Sequence, residues 1–271
     1  LIQLHVSTVG WTRIALRLVN RLTVPDPRLF MARHHERREK TKLVKQEPTP
    51  CFGADAMLRH NCLEEHMPMS TFLNASPIFG PVRSRRLGLS LGVNMMPASG
   101  KICTFDCIYC ECGWNAEHPG GRRFNSREDV RTQLEATLRR MVADSTPPDV
   151  ITFAGNGEPT MHPDFEAVIG DTIALRDALC PAAKVSVLSN ATQIHRDSVR
   201  RALLRVDNNI LKLDSAFDAT VRRMNNPQSA SYTVRGIVEA MKRFDGRMIL
   251  QTMFLRGECG GQPVDNTTEE E

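Results

Sequence analysis

Cys103, Cys107 and Cys110 follow one another in the spacing C-x3-C-x2-C, inside the stretch Lys101-Ile-Cys-Thr-Phe-Asp-Cys-Ile-Tyr-Cys-Glu-Cys112. Soft thiolates of this kind select iron–sulfur clusters or zinc. Three thiolates riding on one loop can reach three irons of a single cubane, which leaves the fourth iron without a protein ligand and open to a small chelating molecule. An open iron points to chemistry rather than electron storage. A zinc site would have to recruit Cys112 as the fourth thiolate, and structural zinc sites usually separate their two C-x2-C pairs by more than roughly ten residues. Four thiolates between 103 and 112, ending in C-x-C, suit that tetrahedral closure poorly. Cys112 reads as a free thiol beside the cluster, and a zinc-binding module that contacts nucleic acid through a basic N-terminal segment stands as the alternative.

A second group of residues, Phe153-Ala-Gly-Asn-Gly-Glu-Pro-Thr160, follows a predicted strand. Gly155 and Gly157 permit a backbone that approaches a ligand closely, Pro159 stiffens the exit, and Glu158 supplies a carboxylate. Three later strands end in polar residues: Ser189 and Asn190, then Lys212 and Asp214, then Gln251. Strand periodicity puts Lys212 and Asp214 on one face, and their leucine neighbours place that face toward the interior of a barrel as a buried pair. Arg83, Arg85 and Arg86 form either a solvated basic loop or a clamp for anions at the barrel mouth. His118 and His162, in Pro-containing loops, receive no role, and Met95 and Met96 read as packing residues.

The elements that must hold these groups alternate from about residue 78 onward. Strands are predicted at 89–94, 150–154, 184–189, 209–213 and 248–253, with helices at 127–142, 164–178, 196–204 and 234–244. Pro147 and Pro148 close the first helix, and Asn225, Asn226 and Pro227 mark a loop before the last. Strands alternating with helices indicate βαβ units and a parallel sheet, whose functional residues gather at the carboxyl ends of the strands. The fold class is therefore α/β, a partial parallel barrel.

Composition fits this reading. Of 271 residues, 41% are hydrophobic and 24% charged, and no apolar run approaches the roughly 20 residues of a membrane span, so no membrane association is expected. Eight cysteines are too dilute for a disulfide scaffold, and half of them crowd into 103–112, which implies ligation in a reducing, cytoplasmic compartment. The net charge of +4 resides in residues 1–66, which hold 11 Lys and Arg against 7 Asp and Glu, whereas 67–271 holds 24 of each. Segment 1–66 reads as a basic extension that is disordered or lies upstream of translation starting near Met67 or Met69, although Arg13, Arg17 and Arg21 share one helical face beside Ile14, Leu18 and Leu22. On that reading Cys51, Cys62 and the basic run 33–45 carry no chemistry. Residues 67–271 read as the folded unit, the partial barrel.

The cysteine loop, with Tyr109 just before its last cysteine, resembles that of the radical S-adenosylmethionine enzymes. The stretch Gly80-Pro-Val-Arg-Ser-Arg-Arg-Leu-Gly-Leu-Ser-Leu-Gly-Val-Asn94 resembles one branch of them, the bacterial Fe-S oxidoreductases related to the wyosine-tRNA synthases. The resemblance spans residues 76–271. It implies a [4Fe-4S] cluster on Cys103, Cys107 and Cys110, whose open iron chelates the amino and carboxylate groups of S-adenosylmethionine. An electron from the cluster then cleaves the sulfonium bond, giving methionine and a 5'-deoxyadenosyl radical that abstracts hydrogen from a substrate. Gly155, Asn156, Gly157 and Glu158 are similar to the family's Gly-Gly-Glu-Pro motif for the cofactor's amino group, with Asn156 where glycine is usual. Ser189 and Asn190 would approach the cofactor's ribose or carboxylate, and Tyr109, Lys212, Asp214 and Gln251 would lie near cofactor or substrate.

The resemblance further implies an external electron donor, a flavodoxin or a ferredoxin. It is compatible with a tRNA substrate, although the balanced charge of 67–271 offers no basic footprint for phosphates. The tail from Arg256 begins as a loop and then shows a helix start, with Asn266 or Thr267 as N-cap and Glu270 as the capping-box acid. Because family members continue into a further helix and a sixth strand, a truncated copy is expected, with an unpaired last strand.

Overall fold

In the computed structural model the residues described are 72–84, 86–117 and 123–270. The basic extension, Met67, Met69, Arg85 and His118 lie outside them.

Among the described residues the main sheet has six strands in unbroken sequence order. They are β1 (Ile78–Ser84), β2 (Gly88–Val93), β3 (Val150–Phe153), β4 (Lys184–Ser189), β5 (Asn208–Lys212) and β6 (Ile249–Gln251). β1 runs antiparallel to β2, and every pair from β2 to β6 is parallel. The crossovers carry α1 (Arg127–Ala143), α2 (Phe165–Leu179), α3 (Asp197–Leu203), α4 (Asp218–Asn225) and α5 (Val234–Lys242). Parallel strands added in chain order by crossovers of one hand place their helices on one face, the arrangement of a partial barrel. The four expected helices and five expected strands are all present within a few residues.

The hydrophobic pattern explains the layering. Val130, Leu134, Leu138 and Met141 form one stripe on α1, whose start is fixed by Ser126 accepting from the Asp129 amide at 3.0 Å. That stripe packs with Leu91, Val93, Ile151, Phe153, Val185, Val187 and Leu211 into one buried cluster, which therefore defines the helix-covered face of the sheet. Alternation turns the intervening residues Ser90, Thr152, Ser186 and Lys212 to the other face, where Ser90 and Thr152 hydroxyls meet at 2.9 Å and Asn208 donates to Ser186 at 2.8 Å. Lys212 thus occupies the polar inner side of the curved sheet.

Four features depart from the sequence reading. β1 is an additional antiparallel edge strand; its register, Arg83 against Leu89 and Ser84 against Gly88, puts the arginine turn at the amino end of β2. The cysteine loop leaves the carboxyl end of β2, so Arg83 and Arg86 sit at the opposite end of the sheet and form no clamp at the barrel mouth. α4 occupies a stretch for which the sequence reading gave no helix, ending at Asn225 with Asn226 in the left-handed conformation. The tail folds as a hairpin, β7 (Arg256–Cys259) with β8 (Gln262–Asp265), instead of starting a helix. Asn266 is no N-cap: it is 1% exposed, accepts from the Leu255 amide at 2.7 Å and donates to the carbonyls of Asp214 (2.6 Å) and Met253 (2.7 Å). Thr267 folds back onto Asp265.

An exposed helix cap is worth about 1 kcal/mol. Asn266→Ala instead strands three backbone groups, two of them buried, and urea denaturation should show a loss of about 3 kcal/mol.

Candidate functional site

The cysteines lie between β2 and α1, on a segment without regular structure that obtains its backbone partners elsewhere. On one side it borders the segment after β3: the Ile102 amide donates to Asn156 O at 3.0 Å, and the Glu158 amide donates to Ile102 O at 3.0 Å. On the other side it caps α4, whose last carbonyls have no partner within the helix. Ile108 N donates to Met224 O (2.9 Å), Asp106 N to Asn225 O (3.0 Å), and Gln228 N donates back to Thr104 O (2.9 Å). The loop is thus stretched between two distant segments of chain.

A buried ion pair braces it from within. Lys101, 1% exposed, donates to Asp106 Oδ1 at 2.9 Å and to Gly113 O at 2.8 Å. Asp106 Oδ1 also accepts from the backbone and side-chain nitrogens of Asn115, each at 2.8 Å, and Asn115 Oδ1 accepts from the Cys103 amide at 3.1 Å. Burial disfavours the Lys101 ammonium, but Cys110, Cys103 and Asp106 more than offset this, and its pKa is raised. Lys101, Asp106 and Asn115 carried no separate signal in the sequence, because nothing local announces that a lysine near a thiolate cluster will be buried.

The sulfurs face hydrogen-bond donors. Cys103 Sγ accepts from the Phe105 amide (3.4 Å) and Asn190 Nδ2 (3.6 Å), and Cys107 Sγ from Asn225 Nδ2 (3.4 Å). Burial pushes the Cys103 thiol up to about 12 and raises Cys107 as well. The hydrogen bond from Cys112 pulls Cys110 down and drives Cys112 upward, while Cys112 also donates to Gly155 O at 3.5 Å. Ligation by a metal would displace protons from these groups. Among the described residues no three Cys, His, Asp or Glu side chains come together as ligands of one metal ion. The fit to a multi-iron cluster rests on the donor chemistry: three soft sulfurs on one anchored loop, with N–H groups aimed at two of them.

The segment after β3 is built from Gly155, Asn156, Gly157 and Glu158. Gly155 and Gly157 have φ of 129° and 139°, and what their missing side chains admit is protein. A Cβ on Gly157 would stand 1.9 Å from Ile102 O, and one on Gly155 2.6 Å from Asn94 Oδ1. Asn156 is a clasp whose side chain accepts from the Asn74 amide (2.8 Å) and donates to Asn74 O (2.9 Å) and Pro97 O (2.7 Å). The Glu158 carboxylate, 2% exposed, accepts from the Thr160 amide and hydroxyl, from Ser189 Oγ at 2.8 Å and from the Asn190 amide at 2.7 Å. Burial nonetheless raises its pKa. Asn190 Nδ2 continues to Thr104 Oγ1 at 2.8 Å, so the exits of β3 and β4 meet the cysteine loop at one place.

Lys212 and Asp214 are brought together by Tyr109 rather than by direct contact. The Tyr109 hydroxyl donates to Asp214 Oδ2 and accepts from Lys212 Nζ at 3.0 Å, and the ammonium stands 4.7 Å from the centre of the tyrosine ring. Asn225, which read as loop punctuation, is 1% exposed and donates to both Tyr109 (2.8 Å) and Asp214 (2.6 Å). Gln251, paired with Lys212 across the sheet, is tied in through its backbone, which accepts from Leu213 N at 3.0 Å. His162 is buried, with Nδ1 accepting from Asp164 N and Nε2 on Asn125 O at 2.8 Å, a structural histidine. A cavity of about 510 Å³ opens beside the loop, lined by Thr104, Thr192, Gln228 and Tyr232 among others.

Comparison with known proteins places these residues in context. A sequence profile described as the Radical SAM superfamily matches residues 99–264. The UPF0026 protein of Methanocaldococcus jannaschii is 32% identical over 181 residues, covering 65% of this chain and 53% of that protein. The UPF0026 protein of a Synechocystis strain is 32% identical over 197 residues, covering 71% of this chain and 67% of its own length. This chain spans little more than half the length of the first relatives it matches. A crystal structure of BtrN in complex with AdoMet and 2-DOIA aligns with 57% of this chain and 54% of its own at 13% identity and a TM-score of 0.34. Among the described residues no helix is long and apolar enough to cross a membrane.

Gly157→Ala should force the cysteine loop off the β3 exit, because its new methyl has backbone on one side and a disfavoured φ on the other. A loss of about 3 kcal/mol in urea denaturation is expected, together with faster labelling of the loop cysteines by a thiol reagent.

Proposed function

Because the chain belongs to the radical S-adenosylmethionine superfamily, we propose that it holds a [4Fe-4S] cluster on Cys103, Cys107 and Cys110 and reductively cleaves S-adenosylmethionine. The observation that carries this reading is the cysteine loop itself, three thiols in C-x3-C-x2-C spacing fixed between the β3 exit and the end of α4. When bound, the cluster supplies the electron that divides the cofactor into methionine and a 5'-deoxyadenosyl radical.

The chain's own residues bind, orient and shield. Glu158 is the group for the cofactor's ammonium: Oε1 is saturated by Thr160 and Ser189, whereas Oε2 accepts only the Asn190 amide among the described residues and retains capacity for a charged donor. An ammonium there would offset the desolvation that raises the pKa of this buried carboxylate. Ser189 and Asn190 hold that carboxylate in place, and Asn190 links it to Thr104 beside Cys103. Lys212, on the polar face of the sheet and anchored through one hydrogen bond to Tyr109, keeps donors for an anionic group of cofactor or substrate. The reducing electron comes from an external donor of the flavodoxin or ferredoxin class.

Anaerobic reconstitution with iron and sulfide should give a brown protein with about four irons per chain. After reduction and addition of S-adenosylmethionine, chromatography should detect 5'-deoxyadenosine, and Cys107→Ala should abolish both the iron and the product. A parent protein that releases no 5'-deoxyadenosine, or that carries a single zinc in place of iron, would overturn the reading.

A further inference from the structure

Asn225, the last residue of α4, touches the cysteine loop with both its backbone and its side chain. Its carbonyl accepts from the Asp106 amide at 3.0 Å. Its side-chain nitrogen lies 3.4 Å from Cys107 Sγ, 2.8 Å from the Tyr109 hydroxyl and 2.6 Å from Asp214 Oδ2. An amide nitrogen carries two hydrogens, and three acceptors compete for them. The competition is confined, because the rest of the network is occupied. The Tyr109 hydroxyl also stands beside the Cys107 thiol, but its one hydrogen goes to Asp214, so its oxygen accepts from Asn225 and from Lys212. The other Asp214 oxygen takes the Met253 amide at 2.9 Å. Cys107 is the end of this chain of bonds.

A sulfur that ligates iron gains negative charge when the cluster is reduced, so an N–H group directed at it stabilises the reduced form more than the oxidised one. Burial strengthens the effect. We propose that Asn225 is a positioning residue that divides its two amide hydrogens between Cys107 and the Tyr109–Asp214 pair, and that this division sets the reduction potential of the cluster. The proposal deepens the function given above and rests on it.

Sharing of a limited supply has a signature that simple support lacks, since two substitutions should move the potential in opposite directions. Asn225→Leu removes the donor while leaving the backbone bond to Asp106, and the potential should become more negative. Tyr109→Phe keeps the ring but removes one of the three acceptors, returning a hydrogen to Cys107, and the potential should become more positive.

The test is a redox titration of the anaerobically reconstituted full chain without S-adenosylmethionine, read from the electron paramagnetic resonance signal of the reduced cluster. At the poise where half of the parent is reduced, the ratio of reduced to oxidised cluster should fall several-fold in Asn225→Leu and rise in Tyr109→Phe. An unshifted Asn225→Leu, or two variants displaced in the same direction, overturns the proposal. If Asn225→Leu retains no iron, Tyr109→Phe decides alone: a positive shift supports the sharing, and no shift or a negative one refutes it. Unshifted variants that still cleave S-adenosylmethionine would defeat this inference and leave the proposed function standing, whereas a parent that assembles no cluster defeats both.

Discussion

The site depends on a few backbone hydrogen bonds that hold an irregular loop between two segments far away in sequence. The cysteine segment has neither helix nor strand to organise it, and buried amides and carbonyls without partners are costly. Ile102 exchanges bonds with Asn156 and Glu158 on one side, while Asp106 and Ile108 satisfy the end of α4 on the other. Everything chemical follows from that suspension: the sulfurs face Asn190 and Asn225 because those residues sit in the anchoring segments, and Gly157 is glycine because Ile102 O occupies the space of its side chain.

Buried charge is the second theme. Lys101, Asp106, Glu158 and Asp214 are each less than 10% exposed, a placement that is costly unless each ion finds partners. Each does, through distinct means: Lys101 pairs with Asp106 and the Gly113 carbonyl, Asp106 also accepts from Asn115, Glu158 collects four donors, and Asp214 takes Tyr109, Asn225 and Met253. Such networks have one satisfied arrangement, so they fix geometry more effectively than an apolar core of equal size.

Much of this was legible in the sequence, and for identifiable reasons. The parallel strands β2 to β5 are short runs with apolar centres, and α1 carries a clean apolar stripe, so their positions follow from the hydrophobic pattern. The cysteine spacing and the position of Glu158 after β3 were equally plain. What escaped was nonlocal. β1 is half-exposed and broken by glycine and proline, α4 is short with three buried residues, and the β7–β8 hairpin is polar, so none imposes a strong period. Lys212 and Asp214 read as a pair because strand alternation shows faces but not what enters between them, here Tyr109 from the cysteine loop. Asn225, Asn115 and Lys101 matter through partners, and a partner 118 positions away leaves no local mark.

The anchoring of the loop also imposes an order on assembly. As the polypeptide emerges from the ribosome amino end first, Cys103, Cys107 and Cys110 appear well before the end of α4, more than a hundred residues later, that their segment must cap. Until that helix is made, the three thiols are tethered at most at the β3 exit. Under the proposed function, a shaped receptacle for iron and sulfide therefore exists only once α4 has been made and folded against the loop.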